Sequence, residues 1–206
     1  MRAGFPARFF NVERLSIKTF GQEKSETEFN ERELKKFFAF VDNLSDNLLA
    51  GNSLAICGGA GLGKTRLLCF LGREILKYLF ESRLAKPEVQ DRIFDRREIR
   101  FFLASEITDL IHDYDLSPTA REQRNALFNC DFLVIDDITK LQPFKGGKEV
   151  VFLDRVLRTR YHELLPTFIT SQFPFDKLGD ALSEPIMDLL YEMCESITLI
   201  GDSWRR

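Results

Sequence analysis

The spacing of apolar positions changes several times along the chain, and each change marks an element. Leu34, Phe37, Phe38, Val41, Leu44 and Leu48 recur at helical spacing, which predicts a helix starting at Asn30. Asn30, with Glu33 three residues on, approximates a capping box, and Gly51 stands where a C-cap glycine would end that helix. A short buried strand is predicted at 53–57, and it leads straight into a glycine-rich loop. Further strands are expected at 100–104, 131–136, 167–171 and 197–200. A helix should cover 64–84 and end at Lys86-Pro87. Ser105 should cap a helix running through His112, and Ser117-Pro118 should open another. Residues 148–164, 176–182 and 184–195 also read as helices. Strands alternating with helices imply a parallel sheet covered on both faces.

Composition narrows the class. With 206 residues, 44% hydrophobic and 30% charged, the chain suits one globular domain and excludes disorder as its dominant state. The longest apolar runs, such as 37–41 and 132–135, are too short to span a bilayer, and no apolar signal core follows Arg2. A cytoplasmic protein with no membrane partner is expected. The net charge of −3 rules out a general basic coat for nucleic acid, so any such contact must be local. Cys57, Cys69, Cys130 and Cys194 form no C-x-x-C pair and the two histidines lie far from them, which argues for free thiols and against zinc. Twenty phenylalanines point to an aromatic-rich core. The mixed aromatic and charged start, 1–28, is read as an N-terminal extension and possible partner-binding segment, with the main domain at 29–206.

Chemistry enters with Gly58-Gly59-Ala60-Gly61-Leu62-Gly63-Lys64-Thr65, which matches G-x-x-x-x-G-K-[ST] in full and sits between a strand and a helix. Glycines let backbone N–H groups turn inward on phosphate oxygens, and the helix starting at Lys64 aims its positive end at the same anion. Lys64 would reach the β- and γ-phosphates and Thr65 would offer its hydroxyl to Mg²⁺, with Arg66 completing the nucleotide-binding run. The strand 132–135 then ends in Asp136-Asp137, the Walker B pattern. Asp136 would hold Mg²⁺, and Asp137 would polarise the attacking water. A third buried strand ends in Thr170-Ser171-Gln172, where Gln172, or failing it Thr170 or Ser171, would orient that water or sense the phosphate. Residues 139–163 hold six basic side chains against three acids. Lys140, Phe144, Lys145 and Lys148 are therefore candidates for backbone contact and base stacking on single-stranded DNA.

The order of P-loop, paired aspartates and L-P-T-F-I-T-S-Q (165–172) resembles the AAA+ ATPases of the DnaC/DnaI helicase-loader and IstB group. The resemblance runs from about Phe9 to the C-terminus and includes the final I-G-D-S-W-R. It implies a P-loop NTPase of the AAA+/ASCE type, a three-layer α/β/α fold with a five-stranded parallel sheet in the order 5-1-4-3-2 and little or no C-terminal lid. It also implies ATP/ADP and Mg²⁺ as ligands, with homo-oligomers forming on ATP binding. By position before the L-P-T strand, Arg160 matches the arginine finger supplied in trans, with Arg158 second. Leu189 stands where the group has a sensor arginine, and Gln172 stands where it commonly has Asn, so hydrolysis is expected to be slow or partner-stimulated. The function implied is a helicase-loader-like ATPase for DNA replication, binding single-stranded DNA and a replicative helicase. An IstB-like transposition helper on duplex DNA and a low-turnover nucleotide-binding adaptor of a replication protein are the alternatives.

Overall fold

A computed structural model describes residues 24–85, 98–112, 117–141 and 147–203. Five strands, β1 (Ser53–Gly58), β2 (Ile99–Leu103), β3 (Phe132–Asp136), β4 (Thr167–Ser171) and β5 (Cys194–Leu199), form one parallel sheet in the order β2-β3-β4-β1-β5. This is the expected 5-1-4-3-2 order read from the other edge. The register sets Ile56 beside Thr170 and Leu103 beside Asp136, which brings the C-terminal ends of four strands level.

Helices cover both faces, so β1 and β4 are buried at every residue and β3 at all but Asp136. In β3, Phe132 and Val134 join the core under α1 (Lys24–Asp42), α2 (Leu44–Leu49) and α3 (Lys64–Ala85). Leu133 and Ile135 join the opposite core, under α4 (Ala104–His112), α5 (Pro118–Asn129), α6 (Lys148–His162), α7 (Leu178–Ala181) and α8 (Glu184–Met193). The phenylalanines explain themselves here. Phe37, Phe38 and Phe70 meet with ring centroids 5.5–6.1 Å apart, and Phe40 stands edge-on to Phe168.

Three local expectations change. Asn30 and Glu33 do not cap α1, which begins at Lys24 and so crosses the expected 28/29 boundary. Both side chains are buried, and they pair instead with the outer edge of β5. Asn30 donates from Nδ2 to the Ile200 carbonyl at 2.8 Å and accepts the Ile200 N–H at Oδ1, 3.0 Å, while Glu33 Oε2 accepts the Thr198 N–H at 3.0 Å. An edge strand leaves its outer backbone groups unpaired, and these two side chains satisfy them. The first helix is also split at Asn43, whose Nδ2 binds the Ala39 carbonyl and competes with helix continuation. Finally, Ser105 is not the cap of α4. The Glu106 carboxylate takes that role, accepting the Leu103 N–H at 2.7 Å.

Other signals hold. Ser117 accepts the Ala120 N–H at its hydroxyl, with Pro118 at the first helical position. Gly51 adopts φ +77°, and a Cβ there would lie 2.8 Å from Leu164 Cα. Residues 1–23, Phe144, Lys145, Trp204 and Arg205 lie outside the described residues.

Candidate functional site

The P-loop leaves β1 at Gly58 and ends where α3 begins at Lys64. Two glycines are demanded by close approach as well as by conformation. A Cβ at Gly58 (φ +136°) would lie 2.3 Å from the Leu199 carbonyl, and one at Gly61 (φ +83°) would lie 2.1 Å from Ser203 Oγ. Leu62 is buried in the core and pins the loop from beneath, so its contribution is anchorage. Lys64, only 8% exposed, folds back and donates from Nζ to the carbonyls of Gly58 and Gly59, both at 2.7 Å.

Beside the loop is a cavity of about 330 Å³. Its walls include Gly61, Gly63, Lys64, Thr65, Arg66, Asp136, Asp137 and Gln172, so the motif residues from three strand ends face one space. Thr65 Oγ1 lies 3.2 and 3.3 Å from the two Asp136 carboxylate oxygens. Thr170 donates from Oγ1 to Asp136 at 2.6 Å and accepts the Asp137 N–H at 2.7 Å, tying β4 to the end of β3. Asp137 itself adopts φ +62°, in a tight turn continued by the 3₁₀ segment Ile138–Leu141. Thr139 donates to Asp137 Oδ1 at 2.8 Å, and Gln172 donates to Oδ2 at 2.6 Å. The Lys140 ammonium lies 3.1 Å from the same Oδ2. Burial pushes the Asp137 carboxyl up, but these three hydrogen bonds and the Lys140 charge outweigh it and hold the group below its ordinary range.

Two hard oxygen donors, the Thr65 hydroxyl and the Asp136 carboxylate, meet beside the P-loop, a donor set whose chemistry suits Mg²⁺. Among the described residues no group of three or more His, Cys, Asp or Glu side chains is placed to hold a metal by itself. Burial pushes the thiol of Cys57, at the end of β1, up to about 12 despite the nearby Lys64 charge.

Arg160 requires a correction. It is fully buried at the opposite end of the sheet from the P-loop. Its guanidinium donates to Thr167 Oγ1 (2.8 Å) and to the carbonyls of Cys130 (2.8 Å), Pro166 (2.9 Å), Leu127 and Asp131 (both 3.4 Å). A side chain sealed among strand starts cannot reach a neighbouring copy's phosphate. Arg158 and Arg155 are exposed on that helix, and Arg158 pairs with Asp154 at 2.9 Å and lines a shallow groove beside Leu189, which is itself core. Of the candidate DNA contacts, Lys140 turns toward Asp137, and Lys148 opens α6. The carboxylate partners Thr139 and Lys140 were not legible as such in the sequence. Their signal is a polar residue two or three positions after an acid in a tight turn.

Sheet order and the loop between β1 and α3 together define a three-layer P-loop α/β/α fold. That fold is the one found in the helicase loaders DnaC and DnaI and in DnaA. The crystal structure of the DnaC helicase loader superposes with a TM-score of 0.65 at 22% identity, covering 95% of this chain and 100% of that one. The replication initiator DnaA bound to AMPPCP and single-stranded DNA gives a TM-score of 0.60 at 19% identity, covering 91% of this chain and 50% of that one. In sequence, the chain is 27% identical over 148 residues to the chromosomal replication initiator protein DnaA of Lactobacillus johnsonii. That match takes in 66% of this chain and spans only 29% of the length of the relative. No protein-family profile matches the chain. No helix among the described residues is long and apolar enough to cross a membrane.

Proposed function

We propose that this chain is a replication AAA+ ATPase of the helicase-loader kind, using ATP as an assembly switch. The observation that carries the reading is the convergence of Lys64, Thr65, Asp136, Asp137 and Gln172 on one cavity from three neighbouring strand ends. In the proposed cycle Lys64 leaves the loop carbonyls for the β- and γ-phosphates, and P-loop amides hold the rest of the anion. Thr65 and Asp136 would hold Mg²⁺, which when bound would neutralise phosphate charge. Asp137 accepts a hydrogen bond from water oriented by Gln172. The water oxygen bonds to the γ-phosphorus, the bond from that phosphorus to the bridging oxygen breaks, and ADP and phosphate leave. The water proton passes by way of Asp137 to solvent. Thr170 keeps Asp136 in line.

Arg158 replaces Arg160 as the side chain offered to a neighbouring copy, since a guanidinium can stabilise charge spread over phosphoryl oxygens. ATP shared between copies then favours the oligomer, and hydrolysis loosens it. Partners are proposed by likeness: DnaC is a helicase loader, and a DnaA structure holds both AMPPCP and single-stranded DNA. The start of α6, where Lys148 stands, is the proposed DNA-facing surface.

The test is fluorescence anisotropy of labelled single-stranded and duplex DNA with ATP, with ADP and with the Lys64→Ala variant. An ATP-dependent preference for single strands, lost in the variant, is the expected result. A duplex preference would transfer the proposal to a transposition helper. A second reading, a low-turnover adaptor of a replication protein, is favoured by Leu189 in place of an arginine. Absence of binding to either DNA, with nucleotide binding intact, would select it.

A further inference from the structure

Asp137 is surrounded by its own neighbours. Thr139 fills one side of Oδ1, while Gln172 and Lys140 converge on Oδ2 at 2.6 and 3.1 Å. The turn that carries these groups is rigid: Ile138 and Leu141 are buried, and the Asp137 N–H is held by Thr170. Within this turn the solvent-facing member is Lys140. Its side chain is 64% exposed against 15% for Asp137, so solvent reaches the lysine far more readily than the acid.

We infer that Lys140 is a positioning residue that restrains Asp137, keeping the carboxylate engaged and turnover low until the ammonium is drawn away. The inference rests on the ATPase reading above. An attacking water needs an acceptor lone pair, and an ammonium seated on Oδ2 competes for it. Lys140 lines the same cavity as Lys64, but its ammonium is seated on the Asp137 carboxylate. The lysine end of this i, i+3 pair is open to solvent, which keeps the pair weak, so the restraint is easily released by any anion that attracts the lysine. That weakness also fixes the expected size of the effect at about two- to five-fold in turnover. The reaction restrained is the one already written: water adds to the γ-phosphorus, the bond to the bridging oxygen breaks, and the proton leaves through Asp137.

The experiment is steady-state ATP turnover of the full chain with Mg²⁺, for the unmodified protein, Lys140→Ala, Lys140→Arg and Lys64→Ala. Binding of a fluorescent ADP is measured in parallel. Lys140→Ala should raise kcat about two- to five-fold with KM and ADP affinity unchanged, while Lys140→Arg, which preserves the pair, should behave like the unmodified protein. A kcat that is unchanged or lower in Lys140→Ala overturns the inference. So does a several-fold rise in KM or loss of ADP affinity, which would make Lys140 a phosphate ligand. Failure of the ATPase reading looks different: no fluorescent-ADP binding and no Lys64-dependent turnover in any of the four proteins, and the inference then falls with it.

Discussion

Strand β4 carries a threonine at its start and another one residue before its end, and each serves a charged cluster of opposite character. At the start, Thr167 accepts from Arg160, whose guanidinium is sealed from water and bonded to four main-chain carbonyls besides. At the end, Thr170 donates to Asp136, whose neighbours line a cavity open to solvent. Both clusters are saturated with hydrogen bonds, so saturation does not separate structure from function. Exchangeability does. Bonds around Arg160 can be replaced by nothing, because no water or ligand reaches them. Those around Asp136 and Asp137 can be traded for a metal ion, a phosphate oxygen or a water. Removing the sealed charge should therefore damage the fold, and removing the open ones should damage the chemistry.

The largest expected effect is on the open side. Asp137→Asn should lower ATP turnover by about 10²–10⁴-fold, the usual worth of a positioned general base. Fluorescent-nucleotide affinity and melting temperature should stay near those of the unmodified protein. Undiminished turnover would remove Asp137 from the reaction and leave it a turn residue.

Arg160→Met is the matching change on the sealed side. It strands several buried carbonyls, each costing about 1–3 kcal/mol when unpaired, and a loss of about 3 kcal/mol overall is expected. At roughly 2–4 °C per kcal/mol for a chain of this size, the melting temperature should fall by about 6–12 °C. If instead the variant melted like the parent and lost only ATP-dependent assembly, the comparison would be broken and the finger role restored.

The sequence did contain a signal for this placement. Leu153, Val156, Leu157 and Arg160 fall at i, i+3, i+4 and i+7, a single stripe that faces the core. Arg158 lies off that stripe. Family position alone, counted back from the L-P-T strand, locates an arginine along the chain and says nothing about its depth. The P-loop and β3 were legible because their evidence is local: fixed glycine spacing, and an apolar run ending in acids. Asn30 and Glu33 were not. Their i, i+3 spacing suits a capping box and equally two polar groups on one helix face, and the strand edge that decides between them lies 165–170 residues away. The tie of Thr139 and Lys140 to Asp137 escaped for a different reason. It depends on the left-handed turn at Asp137, which residue types alone do not announce.

A smaller effect tests the β5 edge, a third polar cluster intermediate between the two. Glu33 is 4% exposed and accepts from Thr198, while Lys36 reaches its other oxygen at 2.7 Å. Glu33→Ala should cost about 2 kcal/mol, the range for a hydrogen bond to a charged group, and lower the melting temperature by roughly 5 °C. Turnover per folded molecule should not change. Hydrogen exchange gives the sharper readout: the Thr198 amide should lose protection selectively. Uniform loss across the sheet would mean that α1 supports the fold as a whole and not this edge.

The smallest effect separates the two ends by pH. Arg160 stays charged through the accessible range, since even a guanidinium lowered by burial starts from a value far above neutrality. Asp137 does titrate, and its folded-state range lies below that of an unfolded aspartate. A carboxyl depressed on folding contributes stability that is complete above the unfolded value, about 4, and is lost as the pH falls through the lower folded value. Partial exposure keeps the contribution below about 1 kcal/mol. In nucleotide-free protein, the difference in melting temperature between the parent and Asp137→Asn should be constant above about pH 5 and should change only below about pH 4. The difference between the parent and Arg160→Met should show no such step. A step near neutrality in the first comparison would mean that burial, and not the bonds from Thr139, Lys140 and Gln172, governs Asp137. The carboxyl would then be protonated over part of the working range and unable to accept the proton of an attacking water.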